Sequence, residues 1–337
     1  MAKNWGRIGG IAGVASFVVG AAALGFTRWQ LSLGTIALTK IGEIRGDRSC
    51  VGFLINDELP TNFKTTPLDE DDKKRLEEKI ECYRDQIEKN PRDAIAFTNR
   101  GEAERRLGKL KEALLDQKKA LQLNPDLQEA KIGLSLVEGD LGNPKAASQA
   151  IQDALKQKET AIAFFYQGFV LGEQKDWQGA VTAYQKSISL NPNFADAYYK
   201  LGVALRNQDK LEEAITAYQK AISLKPNFAN AYTSLGATLR DQGKLEGAIT
   251  AYQKAISLKP DFADTYNNLG VALRFQGKLE EAITAFRKAI SLSPNYAGVY
   301  YNLGLALNRQ GKLQEAITAH QKAISLNPCL TDKTVWA

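Results

Sequence analysis

The chain has 337 residues, 44% of them hydrophobic and 24% charged, with ten prolines and a net charge of +6. That balance excludes a collagen, a disordered tail and a polytopic membrane protein. The three cysteines, Cys50, Cys82 and Cys329, are far apart and form no CxxC pair, which argues against a disulfide framework and a zinc site. A single histidine, His320, leaves no His-based metal cluster or nucleophile triad.

Residues 8–26 (IGGIAGVASFVVGAAALGF) contain no charged side chain. As a helix this segment would be just under ~30 Å long, close to the hydrocarbon thickness of a bilayer. It reads as a transmembrane helix. The rival reading is a cleaved secretory signal, with Lys3 and Arg7 as the basic region and Ala21 to Ala23 as the cleavage site. The apolar character continues past Arg28 into Trp29, Leu31, Leu33 and Ile36, which favours the uncleaved anchor. Arg28, Lys40 and Arg45 follow the span, so the charge bias places the C-terminal side in the cytoplasm. Gly9 and Gly13, then Ser16 and Gly20, recur at four-residue spacing, a pattern that lets a second helix approach and offers one route to self-association.

Residues 27–65 form a linker to which the sequence assigns no structure. Thr66-Pro67-Leu68-Asp69 then supplies a hydroxyl N-cap, a proline at the first helical position and an early acid, predicting a helix that ends near Lys89. Residues 66–93 are therefore expected to form an N-terminal capping helix or half-repeat.

From Ala94 onward the sequence repeats. KLEEAITAYQKAISLKPNFANAY (210–232), KLEGAITAYQKAISLKPDFADTY (244–266) and KLEEAITAFRKAISLSPNYAGVY (278–300) are in register at a period of 34 residues. Seven units start at 94, 128, 161, 195, 229, 263 and 297 and fill 94–330, leaving 331–337 as a tail. Within each unit, apolar or small residues fall at positions 4, 7, 8 and 11 and again at 20, 24, 27 and 28. In the unit from Ala195 these are Tyr198, Leu201, Gly202, Leu205, Ala214, Tyr218, Ala221 and Ile222. Spacings of three and four put each set on one helical face, so every unit is predicted to be an antiparallel helix pair. Gly at position 8 and Ala at position 20 are expected to let the two backbones approach. Proline at position 32 ends the second helix. Asn193, Asn227, Asp261 and Asn295 follow it, placed to cap the next helix.

This pattern resembles the tetratricopeptide repeat (TPR) family, and the near-identical C-terminal copies look similar to arrays common in cyanobacteria. The resemblance implies an all-α, right-handed superhelical solenoid whose first helices line a concave groove, here preceded by the transmembrane helix. Residues 67–91 look like the second half of an eighth unit, with Tyr83 and Pro91 at the matching positions. The pattern is weakest between about 128 and 165, where Lys131, Ser135 and Glu138 replace an aromatic, a glycine and a large apolar residue.

The resemblance directs the search for a site to the groove, since a fold alone names no function. Position 12 supplies Arg105, Arg206, Arg240 and Arg274, then Asn308; position 6 supplies Asn99, Lys200, Ser234, Asn268 and Asn302. Asn can both donate to and accept from a peptide backbone, and Arg grips carboxylates with two parallel bonds. Tyr199 and Tyr301 add amphipathic area, and Phe165, Tyr166 and Phe169 form an aromatic cluster. The bland alternative is a solvated face on which the arginines pair with Asp196, Asp241 or Asp264. The position-6 asparagines resemble the ladder in the TPR portion of O-linked N-acetylglucosamine transferases. The chaperone-type carboxylate clamp is rejected, because position 5 reads Thr98, Ile132, Phe165, Tyr199, Thr233, Asn267 and Tyr301, without a lysine.

No catalytic residue, metal site or cofactor is expected. Glu212, Glu213, Glu280 and Glu281 sit at second-helix starts, where they favour the helix dipole. The net charge is too dispersed for a phosphate-binding groove, so nucleic acid is not an expected partner. The expected partners are proteins or peptide segments, together with the membrane through 8–26. The open C-terminal end, with Val335 and Trp336 in the tail, is a second candidate for self-association. The sequence is therefore read as a membrane-tethered, non-catalytic scaffold for assembling a membrane complex. The alternative is a secreted or lumenal TPR carrier, or a subunit that recruits substrates for a separate enzyme.

Overall fold

The structure is a computed structural model and describes residues 70–328. Those residues form fifteen α-helices and no strand. They are α1 (Glu70–Lys89), α2 (Ala94–Arg106), α3 (Leu110–Leu123), α4 (Gln128–Asp140), α5 (Pro144–Gln157), α6 (Ala161–Glu173), α7 (Trp177–Leu190) and α8 (Ala195–Asn207). The series continues with α9 (Leu211–Leu224), α10 (Ala229–Asp241), α11 (Leu245–Leu258), α12 (Ala263–Phe275), α13 (Leu279–Leu292), α14 (Ala297–Arg309) and α15 (Leu313–Leu326). The proposed membrane span, the linker, the Thr66 cap and the C-terminal tail lie outside the described residues. Among the described residues no helix is long and apolar enough to cross a membrane.

Each even-numbered helix packs along the odd-numbered helix that follows it, and each odd-numbered helix packs against the next hairpin. Successive even-numbered helices also touch one another, from α2·α4 through α12·α14. The even-numbered helices therefore line the inner wall, and the odd-numbered ones form the outer layer.

The core is built on the repeated small residues. Ala113, Ala180, Ala214, Ala248 and Ala282 at position 20 are completely buried. The glycine at position 8 makes room chiefly for the side chain at position 24. A Cβ on Gly270 would lie 2.6 Å from the ring of Phe286, and one on Gly304 would lie 2.5 Å from the His320 ring. In the second unit Ser135 replaces that glycine, and its hydroxyl donates to the Ala147 carbonyl at 2.8 Å, so the hairpin is kept. Lys131 reaches Gln157 Oε1 at 2.9 Å, and the Gln128 amide donates to the Ala154 carbonyl at 2.9 Å, closing the unit that lacks the proline.

The expectation that Asn193, Asn227, Asp261 and Asn295 cap the inner helices is corrected. The N-cap residues are the aromatics one position later, Phe194, Phe228, Phe262 and Tyr296, and none makes a side-chain cap bond. Two of these rings instead pack into the seam between repeats: Phe194 lies 5.0 Å from Phe165, and Phe228 lies 5.0 Å from Tyr199. Burying a large ring there offsets the missing cap bond, which is worth about 1 kcal/mol. Side-chain caps are made where the aromatic is absent, by Asp93 to Ala96 N at 3.0 Å, Thr160 to Ala163 N at 3.1 Å and Asp176 to Gly179 N at 2.9 Å.

Cys82 on α1 is disulfide-bonded, and its partner cysteine lies outside the described residues. The sequence expectation was against a disulfide framework, and this single bond was not foreseen. Wide spacing along a chain does not prevent two cysteines from meeting in the fold.

Candidate binding face

The inner wall divides into three zones. In the first, on α2 and α4, the candidate groove residues are sealed. Asn99 is 2% exposed and Arg105 4% exposed. The Arg105 guanidinium donates through Nε to Glu102 at 2.8 Å and through Nη1 to Asp140 at 2.7 Å, while Arg106 also binds Glu102 at 2.8 Å. Burial pushes the Glu102 carboxyl up, but Arg105 and Arg106 outweigh it and hold the group below its ordinary value. Burial opposes the charge of Arg105, yet Glu102 and Asp140 raise its pKa. Its charge is consumed within the protein. On the outer side of α2, Arg100 makes two bonds to Asp116, at 2.6 and 2.8 Å.

The middle zone lies on α4, α6 and α8. Position 12 is Gly139 and Gly172 here, and the wall opens into a cavity of about 400 Å³ lined by Leu136, Gly139, Ala147, Phe169 and Val170, with Asp140 and Glu173 on its border. A smaller cavity of about 110 Å³ continues past Phe169 to Trp177, Tyr184 and Lys200. The Lys200 ammonium sits 5.5 Å from the Phe169 ring centre and 5.8 Å from that of Tyr199. Burial lowers its pKa to about 8, against the opposing pull of Glu173 and Asp196. Phe165 and Tyr199, expected on the groove surface, are corrected to core residues at 2% and 5% exposure. At position 5 a large ring turns into the seam between repeats and meets the aromatic N-cap of the next one. Phe169 remains half-buried beside the cavity.

The third zone, on α8 to α14, keeps its candidates at the surface. Arg206, Arg240, Asn268, Arg274, Tyr301 and Asn302 are all half-buried. Their contacts follow one register. Arg206 donates to Asp241 at 2.7 Å, Asn302 to Asn267 Oδ1 at 2.9 Å, and Arg309 to the Arg274 carbonyl at 3.4 Å, and each pair is 35 residues apart. Arg105 and Asp140 in the first zone share the same separation. Arg240 pairs with its neighbour Asp241 at 2.8 Å, so one carboxylate serves two guanidiniums. Burial and Arg309 lower the pKa of Arg274, and its guanidinium carbon stacks 4.7 Å from the Phe275 ring centre.

Asp241, at position 13, was foreseen as a partner of the arginines, whereas Phe275 and Arg309 at the same position escaped the sequence reading. The signal that finds them is the 35-residue offset, one repeat plus one residue, by which position 12 of one unit meets position 13 of the next. Among the described residues no group of three or more His, Cys, Asp or Glu is placed to hold a metal ion.

Stacked helical hairpins with a side-chain-lined inner wall define a helical repeat solenoid. The TPR repeat profile matches residues 168–209, 236–274 and 272–311, and tetratricopeptide repeat profiles match 195–228, 297–328, 217–250 and 80–127. The matched stretches together span more than half of the sequence, and the chain belongs to the tetratricopeptide repeat family. No curated protein matches it significantly. Among solved structures it is similar to a chain of the APC/C hetero-tetramer Cut9-Hcn1, with 21% identity, a TM-score of 0.60 and 70% of this chain covered. The match spans only 46% of that longer chain. It is also similar to the human IFIT1 dimer with PPP-AAAA, with 20% identity, a TM-score of 0.56 and coverage of 75% of this chain and 69% of that one. MamA is 30% identical over 49% of this chain and 96% of its own, with a TM-score of 0.46.

Proposed function

We propose that the protein is a membrane-tethered interaction scaffold that holds segments of partner proteins along the inner wall of its repeat array. The tether is residues 8–26, and the setting is assembly of a membrane complex. The observation that carries the reading is the row of polar contacts that recur at the 35-residue register, Arg206 with Asp241, Asn302 with Asn267 and Arg309 with the Arg274 carbonyl. Such a row offers an extended chain both donors and acceptors at regular steps. Tethering raises local concentration, so modest groove affinity suffices.

A photo-crosslinker at Asn268 on the inner wall, compared with one at Lys254 on the outer layer, tests the groove in native membranes. Adducts from Asn268 alone support it, and equal adducts from both positions reject it. Alkaline carbonate extraction of the full chain tests the tether: release into the supernatant rejects it.

A second reading places the array on the oxidising side of the membrane or in a lumen, in line with a secreted or lumenal carrier, and it rests on the disulfide at Cys82. Disulfides persist in oxidising compartments and are rare in the cytosol. Thiol alkylation in intact cells decides between the two orientations. Protection of Cys82 until reductant is added supports the oxidising side, and immediate alkylation supports the cytoplasmic one.

A further inference from the structure

We propose that the last rungs of the inner wall, built around Arg274 and Arg309, bind an acidic segment of a partner protein, in which an Asp or Glu carboxylate lies beside a large apolar side chain. This rests on the groove reading above and names what the groove selects.

Other rungs fill the same register with an acid. Arg105 meets Asp140, and Arg206 meets Asp241. At the next two rungs the residue 35 places on is not an acid: Arg240 reaches the level of Phe275, and Arg274 the level of Arg309. Asp241 is engaged by Arg206 and Arg240, and no ion pair to it extends to Arg274 or Arg309 among the described residues. Asp264 on α12 is engaged by the Tyr296 hydroxyl.

Arg274 carries the clearest sign of a missing acceptor. Its Nε is buried and has no hydrogen-bond partner. A buried guanidinium nitrogen without an acceptor is costly, and a second guanidinium on the adjacent rung adds to that cost. Cations near helix C-termini do favour the dipole there. That benefit needs only a charge in the last turn and leaves the desolvated Nε unexplained. A carboxylate from outside would accept from the Arg274 guanidinium and be shared with Arg309, the forked geometry that arginine offers.

The apolar half of the proposed motif comes from Phe275. Its ring is 58% exposed on the inner wall, with the Arg274 guanidinium stacked on one face. An exposed aromatic beside a desolvated arginine is the composition of an interaction hot spot. Asn267 and Asn302, joined at 2.9 Å, stand about two turns back along α12 and α14, where they can bond the backbone of an extended segment.

The test is a random-peptide display selection on the full chain in detergent. It is followed by anisotropy with the labelled probe Gly-Asp-Leu-Asp-Phe-Asp-Gly and a counterpart in which every Asp is Asn. An acidic consensus, at least about tenfold tighter binding of the Asp probe, and about tenfold loss in Arg274→Gln support the proposal. Arg309→Gln, an exposed position, repeats the test if Arg274→Gln melts early. A consensus without acidic residues, or equal binding of the two probes, overturns the acidic specificity and leaves the groove standing. No selected peptide at all, together with absent crosslinks from Asn268, overturns both. A labelled single-stranded oligonucleotide that displaces the Asp probe and loses affinity in Arg274→Gln also overturns the proposal, because the site then reads phosphates.

Discussion

A Cβ built on Gly202 would stand 2.6 Å from Cε1 of the Tyr218 ring, which is 1% exposed and closes the hairpin of α8 and α9. Gly202→Ala must therefore displace a buried ring and is expected to cost about 1–3 kcal/mol. Gly139 on α4 is the contrast, because its added Cβ would meet only the Ala147 methyl at 3.9 Å. There the helix propensity of alanine wins, and Gly139→Ala should gain up to about 1 kcal/mol. Urea melts of the two variants check the opposite signs.

The turn between the two helices of each unit offers a second test. Gly108, Gly142, Gly243, Gly277 and Gly311 hold it with φ between +77° and +85°, but Asp209 stands at the same place with φ of +60°. The following amide, Lys210 N, bonds back to the Leu205 carbonyl at 3.0 Å, as the glycine turns do. A side chain in the left-handed region costs roughly 1 kcal/mol. Asp209→Gly should therefore raise the melting temperature without altering the circular dichroism spectrum, and a lowered midpoint would contradict the strain.

Much of this was written in the repeat itself. The alternation of inner and outer helices follows from apolar spacing, and Gly at position 8 marks the close contact in every unit but the second, where Ser135 stands. The sequence was less informative where one residue type serves two environments. Tyr199 at position 5 reads as amphipathic contact area, but its ring packs on Phe228 and disappears into the seam. Arg105 and Arg274 are the same residue at the same position. Only the partner 35 residues on, Asp140 in one case and Arg309 in the other, makes the first a buried bridge and the second a desolvated cation. Helix-face arithmetic within one repeat cannot see that partner. The aromatic N-caps were missed for a related reason, since a preference for polar caps ignores burial across the next seam.

Glu104 gives a pH prediction with a definite sign. It occupies position 11, where later units have Leu205, Leu239, Leu273 and Leu307. Burial, with Asp116 adding repulsion, pushes its pKa from 4.5 up to about 7. The folded state thus holds the proton more tightly than the unfolded chain does. Stability from this group is greatest below pH 4.5 and is lost as pH rises towards 7. Glu104→Leu is expected to stabilise by about 2–3 kcal/mol at pH 8, and the part of that gain due to ionisation should vanish near pH 4. Chemical denaturation of both proteins at the two pH values checks it; a gain independent of pH would assign the effect to packing alone.

The network around Arg105 should behave as a unit. Its guanidinium and the Glu102 carboxylate are each 1% exposed in their side chains, and Asp140 is 17% exposed. Arg105→Met leaves Glu102 with Arg106 as its remaining counter-charge and strips Asp140 of its partner on α2. Removing one member of a buried pair typically costs about 3–5 kcal/mol, whereas replacing the pair with apolar groups of similar volume is often neutral. Adding Glu102→Met to Arg105→Met should therefore recover most of the loss instead of deepening it. The coupling is read from a double-mutant cycle in urea, where additive losses would mean that the bridge contributes no joint term. A recovered double variant would also separate structure from recognition. The first zone would then be a sealed joint between two repeats, while peptide binding at Arg274 continued unchanged in the same protein.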